Sequence, residues 1–321
     1  MIKLSGITPS GTAHLGNYLG AIRRWATRSE PEDLYFVSNM HAMTTKHSAE
    51  ELRLLTSHQL AVLVAAGVPK EQLFVQSDLM REHMALAWIL ECTCTFGEAR
   101  RMIQFKEKSQ GSASVRLGLL TYPVLMAADI LLHGTARVPV GEDQNQHVEL
   151  ARTLARRFNT DYGEVFVVPE AVLPEAGARV RSLSDPSRKM SKSISDDGGT
   201  VYVLDEPDVI RRKFRRAMTD SRNEVRYAPD EQPGVANLLD ILAACQDSTP
   251  EHVIQGIGSY RDLKEAAAEA VVTTLSPVRE RALELLEDKV ELAQIRQEGA
   301  DHARKRSEER LNQAIFLAGL V

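Results

Sequence analysis

Cysteine is scarce in this chain: its 321 residues contain three, Cys92, Cys94 and Cys245. An odd, sparse set without the paired spacing of metal ligands argues against a structural zinc site and predicts a reducing, cytoplasmic environment. Long hydrophobic runs are missing as well, so we expect no membrane-spanning helix. The opening stretch MIKLSGITPSG is too short and too rich in glycine for a signal peptide.

The chain also lacks an excess of positive charge. Its net charge of −5 argues against wholesale wrapping of nucleic acid. Two local clusters are basic nevertheless, RRKFRR at 211–216 and HARKR at 302–306. Such runs are usually solvated helix faces, and they become candidates for binding only if the substrate is a polyanion.

The apolar runs of the first half predict an α/β fold. Short apolar strands alternate with helical segments, which is the pattern of a Rossmann-type doubly wound parallel sheet. Ser48 and Glu51 have the spacing of a capping box, which predicts a helix ending near Gly67. We expect strands at 2–6, 34–38, 72–77, 136–141 and 164–169.

The second half predicts a different architecture. Residues 205–321 contain almost no strand-like run and indicate successive helices, interrupted at Pro233-Gly234 and at Ser276-Pro277. We therefore predict two domains: a Rossmann-type domain over 1–186 and a C-terminal all-α domain over 187–321. The last helices are expected to pack back on the first domain.

Two polar stretches have residue types suited to anions. SGITPSGTAHLGN (5–17) is a glycine-rich turn that opens a helix, where free N–H groups suit a phosphate. It matches neither GxGxxG nor GxxxxGK[ST], and a plain strand-to-helix turn explains it equally well. RKMSKS (188–193) places two lysines three residues apart among hydroxyls, so that an anion can be held from both sides. Taken alone, a solvated loop is the simpler interpretation.

A third and a fourth stretch add polar groups at places where ligands bind. YPVLMAADILL (122–132) is an apolar helix with one carboxylate, Asp129. A buried carboxylate needs a partner, which either the protein or a ligand supplies. VPVGEDQNQHVEL (138–150) then follows a strand with polar residues, at the edge where parallel sheets bind their ligands.

Together these stretches resemble a known family. HLGN (14–17) is similar to the His-Ile-Gly-His signature of class I aminoacyl-tRNA synthetases, and KMSKS (189–193) is their second signature, complete. With GEDQNQHVEL (141–150) and FKEKS (105–109), the chain resembles the bacterial tryptophanyl-tRNA synthetases over essentially its whole length.

The resemblance implies a reaction in two steps. Tryptophan and ATP form tryptophanyl-adenylate with release of pyrophosphate, and the amino acid then passes to the 3′ end of tRNA(Trp). It implies ATP as a cofactor, with Mg²⁺ bound through the ATP phosphates. The implied partners are L-tryptophan, tRNA(Trp) and a second copy of the chain in a cytoplasmic homodimer that contacts no membrane.

The resemblance also assigns roles to the C-terminal half. Its helices would bind the anticodon, and the basic clusters would serve the tRNA step alone. Replacing Arg211, Arg212 and Lys213 is therefore expected to weaken aminoacylation without changing the activation of tryptophan.

Residue by residue, the resemblance implies three overlapping sets. Catalysis would involve His14, Asn17, Lys189 and Lys192. ATP would contact Thr8, Pro9, Ser10, Gly16, Asn17, Gly141, Glu142, Asp143, Val180, Lys189, Met190, Ser191, Lys192 and Ser193. Tryptophan would contact Leu4, Gly6, His41, Tyr122, Met126, Asp129 and Gln144. No metal ligand is expected from the chain itself.

The helix YPVLMAAD favours tryptophan as the amino acid. The tyrosine enzymes of the family carry a glutamine where this chain has Met126. A polarisable thioether suits an indole face, and Asp129 can accept a hydrogen bond from the indole N–H. A tyrosine–tRNA ligase is the nearest alternative.

Four positions depart from the family's usual residues. An aromatic is common at Leu4, a glutamine at Thr8 and Asp-Gln at Asn39-Met40. Because both signatures are kept, we interpret the changes as those of a specialised copy with altered affinity for substrate or for inhibitors that mimic tryptophan. A synthetase-like regulator without aminoacylation is the alternative from another class.

Overall fold

A parallel sheet forms the centre of the N-terminal half. The structure is a computed structural model and describes residues 2–109, 114–141, 144–172, 180–191 and 198–321. The strands are β1 (Leu4–Ile7), β2 (Leu34–Val37), β3 (Leu73–Val75), β4 (Arg137–Pro139) and β5 (Glu170–Val172).

The strand order places the ligand-binding edge of the sheet. β1, β2 and β3 pair in that order, and β4 pairs with β5, in each case in parallel. A parallel bridge between Lys3 and Arg137 joins β1 to β4, and Arg137 N–H donates to the Ile2 carbonyl at 3.2 Å. The order across the described strands is therefore 3-2-1-4-5, which confirms the predicted doubly wound sheet. Its switch point lies at the carboxyl ends of β1 and β4.

The last strand lies later in the chain than predicted: β5 begins at Glu170, after the expected run 164–169. The side chain of Asn159 explains the difference. Its Oδ1 accepts the N–H groups of Val165 at 3.1 Å and Phe166 at 3.0 Å, and its Nδ2 donates to the Phe166 carbonyl at 2.8 Å. These bonds occupy backbone groups that a strand ladder would need.

Helices connect and cover the strands of the first half. Helix α4 has the predicted capping box, in which Glu51 N–H donates to Ser48 Oγ at 3.0 Å, and Gly67 follows its end with a φ of 92°. The helices are α1 (Leu15–Asn17), α2 (Arg23–Thr27), α3 (Asn39–Ala42), α4 (Ala49–Ala65), α5 (Met80–Thr93), α6 (Phe96–Arg100), α7 (Ile103–Ser109), α8 (Leu117–Leu132) and α9 (Asn145–Tyr162).

The chain beyond residue 205 is helical in its described part, as predicted. Its helices are α10 (Pro207–Arg215), α11 (Pro233–Cys245), α12 (Pro250–Val253), α13 (Tyr260–Glu287) and α14 (Lys289–Leu317). α11 begins at Pro233, where proline is favoured in a first helical turn. The predicted break at Pro277 is wrong, since α13 continues through it. Leu275 and Val278 on either side are buried in the core, so packing offsets the hydrogen bond that proline removes.

Two apolar clusters, one on each face of the sheet, include residues from both halves of the chain. The first cluster joins Leu15 and Val37 to Phe214 and Val271. The second contains Leu4, Phe36 and Phe74 together with Ala300 and Ala303 of α14. The predicted division at residue 186 stays a prediction.

The last helix lies directly on β3. A Cβ at Gly299 would overlap the Leu73 carbonyl oxygen, so this approach requires glycine. None of the helices in the described residues is both long and apolar enough to span a bilayer.

Candidate active site

The first signature forms the turn between β1 and α1. His14 is buried and caps α1: its Nδ1 accepts from Asn17 N–H at 3.3 Å, and its own N–H donates to Asn17 Oδ1 at 3.2 Å. A Cβ at Gly16 would lie 3.1 Å from the His14 ring and 3.5 Å from Val180 Cβ. The small residue thus lets the turn approach the segment that precedes the second signature.

The second signature begins on a short hairpin. Residues 181 and 189 form an antiparallel bridge, and Met190 N–H donates to the Val180 carbonyl at 3.2 Å. Met190 is buried in the first apolar cluster, whereas Lys189 is exposed. Lys192 and Ser193 lie outside the described residues, as do Glu142 and Asp143, and Ser191 is the last described residue of the loop.

A third segment, residues 201–203, pairs with the first signature. The Val201 carbonyl accepts from Leu15 N–H at 2.8 Å, and Val203 N–H donates to the Ala13 carbonyl at 2.9 Å. His14 and Tyr202 therefore stand opposite each other in an antiparallel bridge. The segment follows the second signature in the sequence, so the chain that leaves KMSKS pairs with HLGN.

The remaining predicted ATP residues lie at the ends of β1 and β4. Thr8 Oγ1 is hydrogen-bonded to Ser38 Oγ at 2.9 Å, Pro9 is buried and Ser10 is exposed. Gly141 is exposed beyond β4, and its carbonyl accepts from Gln144 N–H at 2.9 Å. These positions flank the switch point of the sheet.

Asp129 of α8 is the centre of a buried polar cluster. His41 Nε2 lies 2.7 Å from Oδ2, His83 Nδ1 lies 2.8 Å from Oδ1, and Gln76 Nε2 donates to both oxygens at 2.8 and 3.0 Å. Burial alone would raise the pKa of this carboxyl, but the neighbouring His41 and His83 outweigh it and hold the pKa below its usual value. The sequence left open whether the protein or a ligand supplies the partner of Asp129. In the structure the protein supplies it.

The other predicted tryptophan residues lie around this cluster. The Tyr122 ring meets the His41 ring edge-on, with 6.1 Å between centroids. Tyr122 and Gln144 are linked through His147, whose Nε2 lies 3.1 Å from the Tyr122 hydroxyl and whose Nδ1 lies 2.8 Å from Gln144 Oε1.

Three of the predicted residues pack around β1 and α8. Met126 is half-buried against the second apolar cluster, and Leu4 lies inside that cluster. Gly6 is exposed, and a Cβ there would lie 2.7 Å from the Phe36 ring.

Sequence reasoning missed Gln76, His83 and His147 as members of the site. Gln76 had a usable signal, because it is a polar residue directly after an apolar strand. His147 lies within the quoted GEDQNQHVEL stretch. His83 is a single histidine on an apolar helix, a pattern that gives no hint of a partner.

Two of the unusual positions have structural roles. Asn39 Nδ2 donates to Ser77 Oγ at 2.9 Å, and Ser77 N–H donates to Asn39 Oδ1 at 3.1 Å. Met40 contributes its N–H to Gln76 Oε1 at 3.1 Å. Asn39 therefore links the end of β2 to the end of β3, next to Gln76, which contacts Asp129.

The cluster RRKFRR is divided between surface and interior. Arg211 pairs with Glu269 at 2.7 Å and with Asp208 at 3.0 Å. Lys213 is buried, so its expected place on a tRNA-binding surface is wrong: the helix turns it inward with Phe214. Three arginines of the cluster are exposed, Arg212, Arg215 and Arg216.

The cluster HARKR is engaged with the first half of the chain. Arg304 Nε donates to Glu82 at 2.9 Å, and Arg306 donates to Glu32 at 3.0 Å. Both arginines therefore fix α14 to the sheet domain.

The sheet order and the paired signatures define the class of protein. The sequence model described as "tRNA synthetases class I (W and Y)" matches residues 1–276, so the chain belongs to this family of class I aminoacyl-tRNA synthetases. The predicted resemblance is confirmed.

Relatives of similar length identify the group within the family. Tryptophan–tRNA ligase 1 of Streptomyces coelicolor is 50% identical, with 99% of this chain and 96% of the relative covered. The tryptophan–tRNA ligase of Clostridium perfringens is 45% identical over 100% of this chain and 98% of the relative. The tryptophanyl-tRNA synthetase of Campylobacter jejuni, solved with ADP and tryptophan, has a TM-score of 0.85 at 33% identity and covers 99% of this chain and 100% of its own. The chain therefore groups with bacterial tryptophan–tRNA ligases.

Proposed function

We propose that the chain activates L-tryptophan with ATP, releases pyrophosphate and transfers the amino acid to the 3′ end of tRNA(Trp). The observation that carries this proposal is the pairing of the HLGN turn with residues 201–203, which follow the second signature in the chain. The HLGN turn is hydrogen-bonded to the segment leaving KMSKS through Leu15 and Val201, at the switch point of the sheet. The nucleotide and tryptophan of the Campylobacter jejuni complex are the ligands that we extend to this chain.

The chemistry needs alignment and positive charge rather than a general base. The tryptophan carboxylate is already ionised at neutral pH, so the activation step depends on its alignment with the α-phosphate and on stabilisation of charge at phosphorus. His14 and Asn17 are proposed to meet the phosphates. Lys189 and Lys192 are proposed to meet the leaving pyrophosphate as the loop closes.

Magnesium is proposed to enter with ATP. Within the part of the chain that the structure describes, no three His, Cys, Asp or Glu side chains are grouped as a metal site. We propose that the ATP phosphates hold the ion, where it would neutralise charge on the departing pyrophosphate.

Tryptophan is proposed to bind beside His41 and Tyr122, with Met126 and Gln144 near the pocket. His41 has a 13% exposed side chain and Asp129 a 1% exposed one, so His41 is the more accessible member of the pair. Asp129 supplies the negative charge that orients His41 towards the tryptophan pocket. Because the protein already satisfies Asp129, an unpaired carboxylate cannot alone account for the rejection of phenylalanine.

The active form is proposed to be a cytoplasmic homodimer. Met80, Met84 and Trp88 follow one another at helical spacing on α5, and they are 49%, 48% and 65% exposed. An apolar stripe of this size on a surface helix suits a second copy of the same stripe.

The C-terminal helices are proposed to form an anticodon-binding domain over 187–321. The exposed Arg212, Arg215 and Arg216 of the α10 region are the candidates for phosphate contacts.

The decisive experiment is amino-acid-dependent ATP–pyrophosphate exchange with each proteinogenic amino acid, followed by charging of tRNA(Trp). We expect exchange with tryptophan far above all others. Stronger exchange with tyrosine would favour the tyrosine enzyme, and silence with every amino acid would favour a synthetase-like regulator.

A further inference from the structure

Lys213 is a buried cation inside a run that otherwise faces solvent. Its residue is 6% exposed, and its Nζ donates to the Thr200 carbonyl and to Asp205 Oδ2, each at 2.8 Å. The same Asp205 oxygen accepts from Tyr202 N–H at 2.9 Å, and the amine lies 5.0 Å from the centroid of the Tyr202 ring. The lysine thus holds the two ends of the loop Thr200–Asp205 together.

Burial of the Lys213 ammonium group on the inward face of α10 carries an unfavourable desolvation free energy. Ile210, Phe214 and Ala217 share the inward side with Lys213, and all of them are buried and apolar. An apolar residue would fill the position without the desolvation of an ammonium group. The two acceptors therefore indicate that the position is used to hold the loop.

The loop that Lys213 holds, together with the preceding Gly199, lies between the first signature and the hairpin on which the second signature begins. Val201 and Val203 are hydrogen-bonded to Leu15 and Ala13, so that Tyr202 stands opposite His14. On the other side, the Gly199 carbonyl accepts from Leu183 N–H at 2.9 Å. A shift of this loop would move the turn that bears His14 relative to the segment around Leu183.

We propose that Lys213 is a positioning residue for the activation step. It fixes the register of Thr200–Asp205 against His14 and thereby holds the turn that bears His14 and Asn17 in place at the ATP site. It takes no part in tRNA binding, although it lies in the basic run. The inference rests on the proposed function, because it concerns the same ATP site.

The test compares Lys213→Met with Lys289→Met, a change at an exposed lysine of α14, in tryptophan-dependent ATP–pyrophosphate exchange. Displacement of a reacting group by a fraction of an ångström to an ångström costs up to about 100-fold, so we expect kcat of Lys213→Met to fall about 10- to 100-fold. The KM for tryptophan should stay within about twofold, and Lys289→Met should match the wild type. Lys213→Arg, which keeps the charge and donors, should recover part of the loss.

A second variant separates positioning from stability. Lys213→Met leaves the half-buried Asp205 without its cation, which destabilises the fold. Lys213→Met/Asp205→Asn removes that charge and keeps an acceptor for Tyr202 N–H, so its unfolding temperature should recover while kcat stays low. Recovery of kcat together with the unfolding temperature would overturn the inference, as would a wild-type kcat in Lys213→Met. If the wild-type protein shows no tryptophan-dependent exchange, the proposed function is overturned instead.

Discussion

At the scale of single residues, the side chains of the site have two roles. Some contact the reacting groups in the transition state, and others hold a neighbouring side chain in place. Lys192 belongs to the first kind in our proposal, because a loop lysine that meets pyrophosphate mostly in the transition state gives differential binding. Asp129 belongs to the second kind, because its carboxylate contacts three neighbouring side chains and orients them.

Lys192→Ala should therefore lower the rate of tryptophan activation by about 100-fold or more while the affinity for tryptophan changes little. Single-turnover adenylate formation and equilibrium dialysis with tryptophan measure the two quantities. Arg188→Ala, a change at an exposed arginine of the same loop, is the control and should be near wild type. Equal losses in rate and affinity, or none in either, would show that the loop is not catalytic.

Asp129→Ala should raise the tryptophan requirement and relax discrimination against phenylalanine, with the KM for ATP nearly unchanged. A hydrogen bond to a charged group contributes about 1.5–3 kcal/mol, so the KM for tryptophan should rise roughly 10- to 100-fold. Exchange kinetics with tryptophan, tyrosine and phenylalanine check this. Asp129→Asn keeps the size of the side chain and separates loss of charge from an empty space. Unchanged selectivity in both variants would remove Asp129 from the pocket.

At the scale of elements, the structure ties helices to one another through bidentate ion pairs. Glu98 of α6 accepts from Arg157 of α9 at 2.7 and 3.1 Å and also caps its own helix. The hydrogen bond from Arg157 lowers the pKa of Glu98 from 4.5 to about 2. Because the folded-state pKa is depressed, this pair stabilises the fold above pH 4.5 and loses its contribution as the pH falls towards 2.

Glu98→Gln should lower the free energy of unfolding by about 1 kcal/mol at neutral pH. The difference from wild type should stay constant down to about pH 5 and shrink between pH 4.5 and about 2. Thermal unfolding across that range measures it. Glu149→Gln removes an exposed carboxylate that pairs with Arg152 on α9, and it should have no comparable effect. A difference that grows on acidification would contradict the assignment.

The exposed arginines of the α10 region give a prediction for the tRNA step. Replacing Arg212, Arg215 and Arg216 by alanine should weaken aminoacylation and leave pyrophosphate exchange unchanged. Each arginine–phosphate interaction that the substitutions abolish should reduce the salt dependence of tRNA affinity by about 0.7–0.9 in log–log slope. Arg211→Ala, which breaks an internal pair, is the control. A parallel loss in exchange would show that the region supports the fold instead.

At the scale of the whole molecule, the apolar stripe on α5 predicts the assembly. Trp88→Glu should convert a dimer into monomers. A symmetric interface would then bury two unpaired carboxylates, one from each copy, and both destabilise it. Sedimentation equilibrium measures the mass. Leu54→Glu alters an apolar residue of similar exposure on α4 and should leave the mass unchanged. A wild-type protein that is monomeric at all concentrations would exclude the homodimer.

The sequence predicted the parts of the molecule whose causes are local. Both signatures, the capping box at Ser48 and the sheet class followed from short patterns. The later start of β5 depended on the side chain of Asn159, which lies on the preceding helix, and the continuity of α13 through Pro277 depended on burial on either side. The partners of Asp129 come from three separate elements. Such contacts join residues far apart in the chain, so no short pattern contains them.

The close approach of α14 to β3 at Gly299 has a consequence for protein synthesis. A ribosome completes all the described strands long before it adds the helix whose Ala300 and Ala303 close the second apolar cluster. During that interval the apolar surface beside β3 that α14 later covers is exposed to solvent, which favours association between nascent chains. A chain that ends before residue 299 would therefore keep this apolar surface exposed and should aggregate.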